Sequence, residues 1–87
     1  MSVIHKYQLG NSKHTLIETP IGAEIIKCDV QNEIITLWAC VDENNLEEKE
    51  IRLFHILATG EHFDKSRLQY IDSVFIGPYV WHVFEEY

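Results

Sequence analysis

The chain has 87 residues, enough for one domain, 1–87, with a thin core. An apolar share of 46% is that of a folded chain, which excludes a disordered one. Seven basic residues stand against 14 acidic ones, a net charge of −7, which argues against nucleic acid as a partner because a nucleic-acid binder needs a positive footprint.

The first stretch, Val3 to Leu9, alternates, with Val3, His5, Tyr7 and Leu9 on one side. It predicts a strand. Gly10-Asn11-Ser12 reads as a turn, and His14 to Thr19 as a second strand that folds back on the first in an N-terminal hairpin. Pro20-Ile21-Gly22 is a tight connection. Ala23 to Val30 follows as a strand, and the short polar Gln31-Asn32-Glu33 predicts a hairpin with the next segment.

That segment, Ile34 to Val41, is the longest β-favouring run and carries no charge. Ile35, Leu37, Ala39 and Val41 point one way; Ile34, Trp38 and Cys40 point the other, with Thr36 among them. The pattern is that of a central strand covered on both faces, by the core and by a second layer or another subunit.

Asp42 to Glu50 is strongly acidic, with a turn at Asn44-Asn45 and no spacing that fits a calcium loop. From Leu46 to Ala58 the signals conflict. Asn45 with Glu48 resembles a capping box and Gly60 could end a helix, whereas Glu50-Ile51-Arg52-Leu53-Phe54 alternates and would pair with the strand before it. The strand is the preferred reading. Thr59 to Arg67 is a polar loop, Leu68 to Ile76 a strand, Gly77-Pro78 a break, and Tyr79 to Phe84 the last strand, folding back on Leu68–Ile76. The sum is a mainly β chain with little or no helix: an antiparallel meander, small sandwich or rolled sheet of about six to seven strands.

Two strands, Ile34–Val41 and Tyr79–Phe84, are apolar on both faces. A homo-oligomer, a two-fold dimer above all, would cover the excess. Trp81 is the expected anchor at that contact, with Tyr79 and Val83 beside it, and Trp38 belongs in the core. Cys28 and Cys40 form no CxxC, no run has the length of a membrane helix, and the N-terminus lacks the apolar stretch of a signal peptide, so a cytosolic protein with reduced thiols is expected.

The five histidines show no HxH, HExxH or HxxxH spacing, so no metal ligand is assigned. His82, between Val80 and Phe84, reads as a packed, hydrogen-bonded residue. Cys40 in an apolar strand reads as a small hydrophobe, so no catalytic residue and no cofactor is assigned. Thr59-Gly60 with His62 is the one loop suited to a ligand, since such a turn exposes N–H groups to an anion. Arg52 and Arg67 are the cations that could join it.

Ile4-His5-Lys6-Tyr7, Glu18-Thr19-Pro20-Ile21-Gly22-Ala23, Leu37-Trp38-Ala39-Cys40-Val41-Asp42, Thr59-Gly60 and Val80-Trp81-His82-Val83-Phe84-Glu85 occur in this order from end to end. In this the chain resembles a family of small uncharacterised proteins of tailed bacteriophages and prophages. Members of that family carry His directly after Thr-Gly; here Glu61 intervenes before His62. The resemblance implies a phage protein in the cytoplasm of a bacterial host and transfers no functional residue. The leading expectation is a small acidic accessory protein that binds and modulates a host protein, as an anti-defence inhibitor would. The alternative is an oligomeric sponge that holds a nucleotide-like anion between subunits through Thr59, Gly60, Arg52 or Arg67.

Overall fold

The structure is a computed structural model and describes residues 1–10 and 12–87; the Asn11 position of the expected turn lies outside the described residues. Seven strands follow one another: β1 (Ser2–Gly10), β2 (His14–Pro20), β3 (Glu24–Gln31), β4 (Ile34–Asp42), β5 (Lys49–Ala58), β6 (Leu68–Ile76) and β7 (Tyr79–Glu86). They form two antiparallel sheets, one ordered β1-β4-β3 and the other β2-β5-β7-β6. The sheets stack as a sandwich. Leu9, Cys28, Ile35 and Leu37 from the first meet Phe54, Ile56, Val74 and Val83 from the second in one buried core. Ala23, Ala39 and Val41 continue it toward one end, under Val3, Tyr7 and Leu46.

Two of the expected hairpins form. Between β3 and β4 the two turn residues Asn32 and Glu33 both take positive φ, 53° and 65°, and Gln31 faces Ile34 across the turn. That is the signature of a type I′ turn, whose twist matches that of the strands. Between β6 and β7, Gly77 has φ 57° ahead of Pro78. Since proline holds φ negative, this turn is of the II′ kind, with glycine first.

The other two expected pairings are corrected. β1 pairs with β4 and β2 with β5, in different sheets, so the N-terminal strands make no hairpin. Instead the chain turns a corner between sheets, fastened where the Thr15 hydroxyl donates to the Leu9 carbonyl at 2.7 Å. Nor does β4 pair with β5. The link between them is acidic and contains only a short 3-10 turn, Glu43–Asn45, whose Asn44 N–H is capped by the Asp42 carboxylate at 2.9 Å. The physical reason is burial. Ile35 and Leu37 on β4 and Phe54 and Ile56 on β5 cover one another when the strands stack across the core, and would share one uncovered face if the strands lay side by side. From Lys49 onward the Leu46–Ala58 stretch is strand, not helix.

β4 lies between β1 and β3, with Leu37 and Ala39 fully buried. Its second face is turned outward and is flanked by its neighbours. Gln8 and Asp29 flank Thr36, and Lys6 and Lys27 flank Trp38, so Thr36 is fully buried while Trp38 and Cys40 are half-buried. Long polar side chains thus flank that face, and Ile4, the cross-strand partner of Cys40, stands exposed on it.

β5 and β6 both run antiparallel to β7, which lies between them, so they run parallel to each other. The link 59–67 must therefore travel back along the sheet. It crosses the outer face, with the Phe63 ring 5.2 Å from the Phe84 ring. This is why Leu57, which alternation points outward, is buried.

Candidate functional site

At the end of the sandwich marked by the Gly77-Pro78 turn, the sheets part into a groove of about 360 Å³. Ile35 of β4, Ile56 of β5 and Ile76 of β6 line it together with Tyr79 and Trp81 of β7, and Gly10 and Glu33 reach it from the first sheet. Alternation along β7 sets this up. Tyr79, Trp81 and Val83 face inward, but only Val83 lies deep enough to be fully buried. Trp81 packs half-buried on the core, and Tyr79, at the mouth, is 65% exposed. The two rings lie 6.4 Å apart, tilted by 46°. Tyr79 and Trp81 also wall a neighbouring hollow of about 270 Å³, shared with Ala58, Thr59, Pro78 and Val80.

A directional hydrogen-bond chain fixes the loop beside this hollow. The Tyr70 hydroxyl lies 2.8 Å from Ser73 Oγ, Ser73 Oγ lies 2.7 Å from His82 Nδ1, and His82 Nε2 lies 2.8 Å from Thr59 Oγ1. With Tyr70 donating to Ser73, Ser73 to His82, His82 to Thr59 and Thr59 to the Val80 carbonyl at 3.5 Å, every hydroxyl and both ring nitrogens have a role. His82 is a half-buried, doubly bonded residue, as its position between Val80 and Phe84 leads one to expect. Glu61 then bends the loop, accepting from the Ala58 N–H at 3.0 Å and from Lys13 Nζ at 2.7 Å. Lys13 and the Ala58 N–H together hold the Glu61 carboxyl below the usual carboxylate range.

The anion-binding set read from the sequence does not converge. Thr59 and Gly60 close the turn after β5, with Gly60 at φ 90°, and His62 is exposed in the loop beyond. Arg52 lies six residues before Ala58, roughly 20 Å away at the rise of a strand, and faces the interior. Each of its three nitrogens donates within the chain. Nε and Nη2 donate to the Glu85 carboxylate at 2.6 and 2.7 Å, and Nη1 donates to the Ala23 carbonyl. Arg67 stands at φ 65° in the turn before β6, at the other end of β7 from Tyr79, and its carbonyl accepts from the Tyr87 N–H.

Of the three residues assigned to a subunit contact, Tyr79 and Trp81 line the groove. Val83 is fully buried in the core, where a partner has no access to it. Trp38, placed in the core by its sequence surroundings, stands on the outer face of the first sheet. The groove floor of Ile35, Ile56 and Ile76 has no signature of its own in the sequence. It comes from three strands of two sheets, and only their stacking brings it together.

The outer face of the four-stranded sheet gathers further titratable groups. His14 Nδ1 and His55 Nδ1 lie 2.7 Å apart, and His55 Nε2 lies 3.3 Å from Glu86. With Lys13, Glu61, His62 and Asp64 they border a hollow of about 430 Å³ under the crossing loop. Among the described residues no three His, Cys, Asp or Glu side chains gather to hold a metal ion, and no helix is long and apolar enough to cross a membrane.

No curated protein and no solved structure matches the chain. A family model described as a domain of unknown function, DUF7352, matches residues 1–87, and the chain belongs to that family.

Proposed function

We propose that this protein acts by binding rather than by catalysis: a small acidic accessory factor of phage origin that docks on a host protein in the bacterial cytoplasm and modulates it. The groove beneath Tyr79 and Trp81 receives an apolar anchor of that partner. The observation that carries this reading is the exposed Tyr79 ring standing over a floor of three isoleucines and Trp81. Aromatic side chains around an apolar hollow are the usual makings of an interface hot spot. The net charge of −7 favours a partner with a basic rim and a fast, salt-sensitive approach. A component of the host's defence machinery is the first partner to test.

The experiment is affinity capture from the bacterial host at low salt, followed by reconstitution of the captured pair from purified components. A single partner that binds the wild type, and binds Tyr79→Ala and Trp81→Ala at least ~30-fold more weakly, supports the reading. A partner that holds both variants as well as the wild type moves the contact elsewhere, and no reconstituted pair at all overturns the proposal.

A further inference from the structure

The outer face of the four-stranded sheet carries an apolar centre that nothing in the chain covers. On β2 and β5 alternation turns Leu16, Ile51 and Leu53 outward, and Leu16 and Leu53 are direct cross-strand partners. Leu16 is 67% exposed and Ile51 68%, although both belong to well-paired strands. The crossing loop 59–67 shields Leu57 and Phe84 further along the same face and stops short of this end. Two charges of opposite sign stand at one end of the patch on the same face, and Glu86, the cross-strand partner of Leu53, flanks it and is paired with His55. Glu18 is the cross-strand partner of Ile51, and Lys49 precedes Ile51 by two positions. Among the described residues neither has an ion-pair partner.

We infer that this face binds a second copy of the chain in a two-fold dimer, with Leu16, Ile51 and Leu53 at its centre and Glu18 of each copy against Lys49 of the other. An apolar centre with an acid and a base, neither paired within the chain, at one end is self-complementary. A two-fold axis brings each patch onto its twin and sets each carboxylate opposite an ammonium, twice over. This contact is independent of the groove at Tyr79, which lies toward the other end of the sandwich.

Sedimentation equilibrium or light scattering across a concentration series tests the inference. The wild type is expected to reach twice the 10.2 kDa chain mass. Leu16→Glu and Ile51→Glu should each raise the dimer dissociation constant roughly 30-fold or more while the far-ultraviolet dichroism stays that of the wild type. Glu18→Lys should weaken the dimer, and Glu18→Lys combined with Lys49→Glu should restore it, an outcome that loss of folding cannot produce. Tyr79→Ala should leave it unchanged. A wild type that remains a single copy at high micromolar concentration overturns the inference. So does a dimer indifferent to Leu16→Glu and Ile51→Glu, or one that Tyr79→Ala dissociates.

Discussion

Arg52 and Glu85 meet side on inside the sandwich, with Nε and Nη2 donating to the two carboxylate oxygens at 2.6 and 2.7 Å, both side chains only 15% exposed. The third nitrogen of Arg52 donates to the Ala23 carbonyl, so one side chain of the four-stranded sheet holds the first residues ahead of β3. Removing one partner leaves a charge in the interior, so Arg52→Met or Glu85→Leu alone should cost about 3–5 kcal/mol. The double variant should recover most of that, because two apolar side chains of similar volume need no counter-charge. Urea unfolding of the three variants checks this, and additive losses in the double variant would contradict it. The hydrogen bond to Glu85 holds the Arg52 pKa above its ordinary value. A raised folded-state value makes its contribution fully present below the ordinary arginine value and lost only in stronger alkali.

Cys28 gives the pH dependence that is measurable. It is buried in the core, and burial first, then the charges of Asp72 and Asp29, push its thiol up to about 12. The thiol ordinarily ionises near 9.0, so the unfolded chain releases this proton first. Stability from this group is therefore complete below about 9 and falls as pH rises toward about 12. Thermal melts through that window should show a downward slope that Cys28→Ala flattens. At neutral pH a thiol reagent should reach Cys28 only at the rate of unfolding, and rapid labelling would show that the sheets open there.

The sequence carried the strands and failed on their partners, for a physical reason. Alternation in Ile35-Thr36-Leu37-Trp38-Ala39 marks a buried face whichever strand lies beside it, and the turn chemistry of Asn32-Glu33 and Gly77-Pro78 is local. The corner between Gly10 and His14 and the acidic link after Asp42 have no such local code. Whether they close a hairpin or pass to the other sheet depends on which apolar faces bury each other. Tyr79 and Trp81 were legible as aromatic anchors at the chain's end, but the isoleucine floor beneath them was not, because it exists only once two sheets meet. Arg52 looked like a free cation; its acceptor, Glu85, is 33 residues away.

The β3–β4 turn can be improved. Glu33 takes φ 65°, a conformation in which a side chain with a Cβ is strained, and type I′ turns favour glycine there. Glu33→Gly should stabilise the fold by about 0.5–1 kcal/mol, after allowing for the greater freedom of glycine when unfolded. In a chain of this size that is a rise of a few degrees in Tm. Glu33→Val, which tolerates this φ least, should lower Tm by more, and equal melting points for the two variants would show that the turn is not of this type.

His14 and His55 should divide their tautomers between them. Their Nδ1 atoms are 2.7 Å apart, so one must donate and the other accept, and His55 Nε2 faces the Glu86 carboxylate at 3.3 Å. A carboxylate takes a donor, which places the His55 proton on Nε2 and leaves its Nδ1 as the acceptor. His14 must then carry its proton on Nδ1, the less common form for a neutral imidazole. Nitrogen-15 spectra of the imidazoles at neutral pH should show His14 as the Nδ1–H form, reverting in His55→Phe; Glu86→Gln should loosen the division without abolishing it. Two neutral rings both protonated on Nε2 would leave two lone pairs facing each other at hydrogen-bond distance, and that spectrum would rule the arrangement out. The bond joins β2 to β5 two residues before the Leu16–Leu53 pair on the same face, so His55→Phe should fray the start of β2 in hydrogen exchange while leaving the strand from Glu18 onward protected.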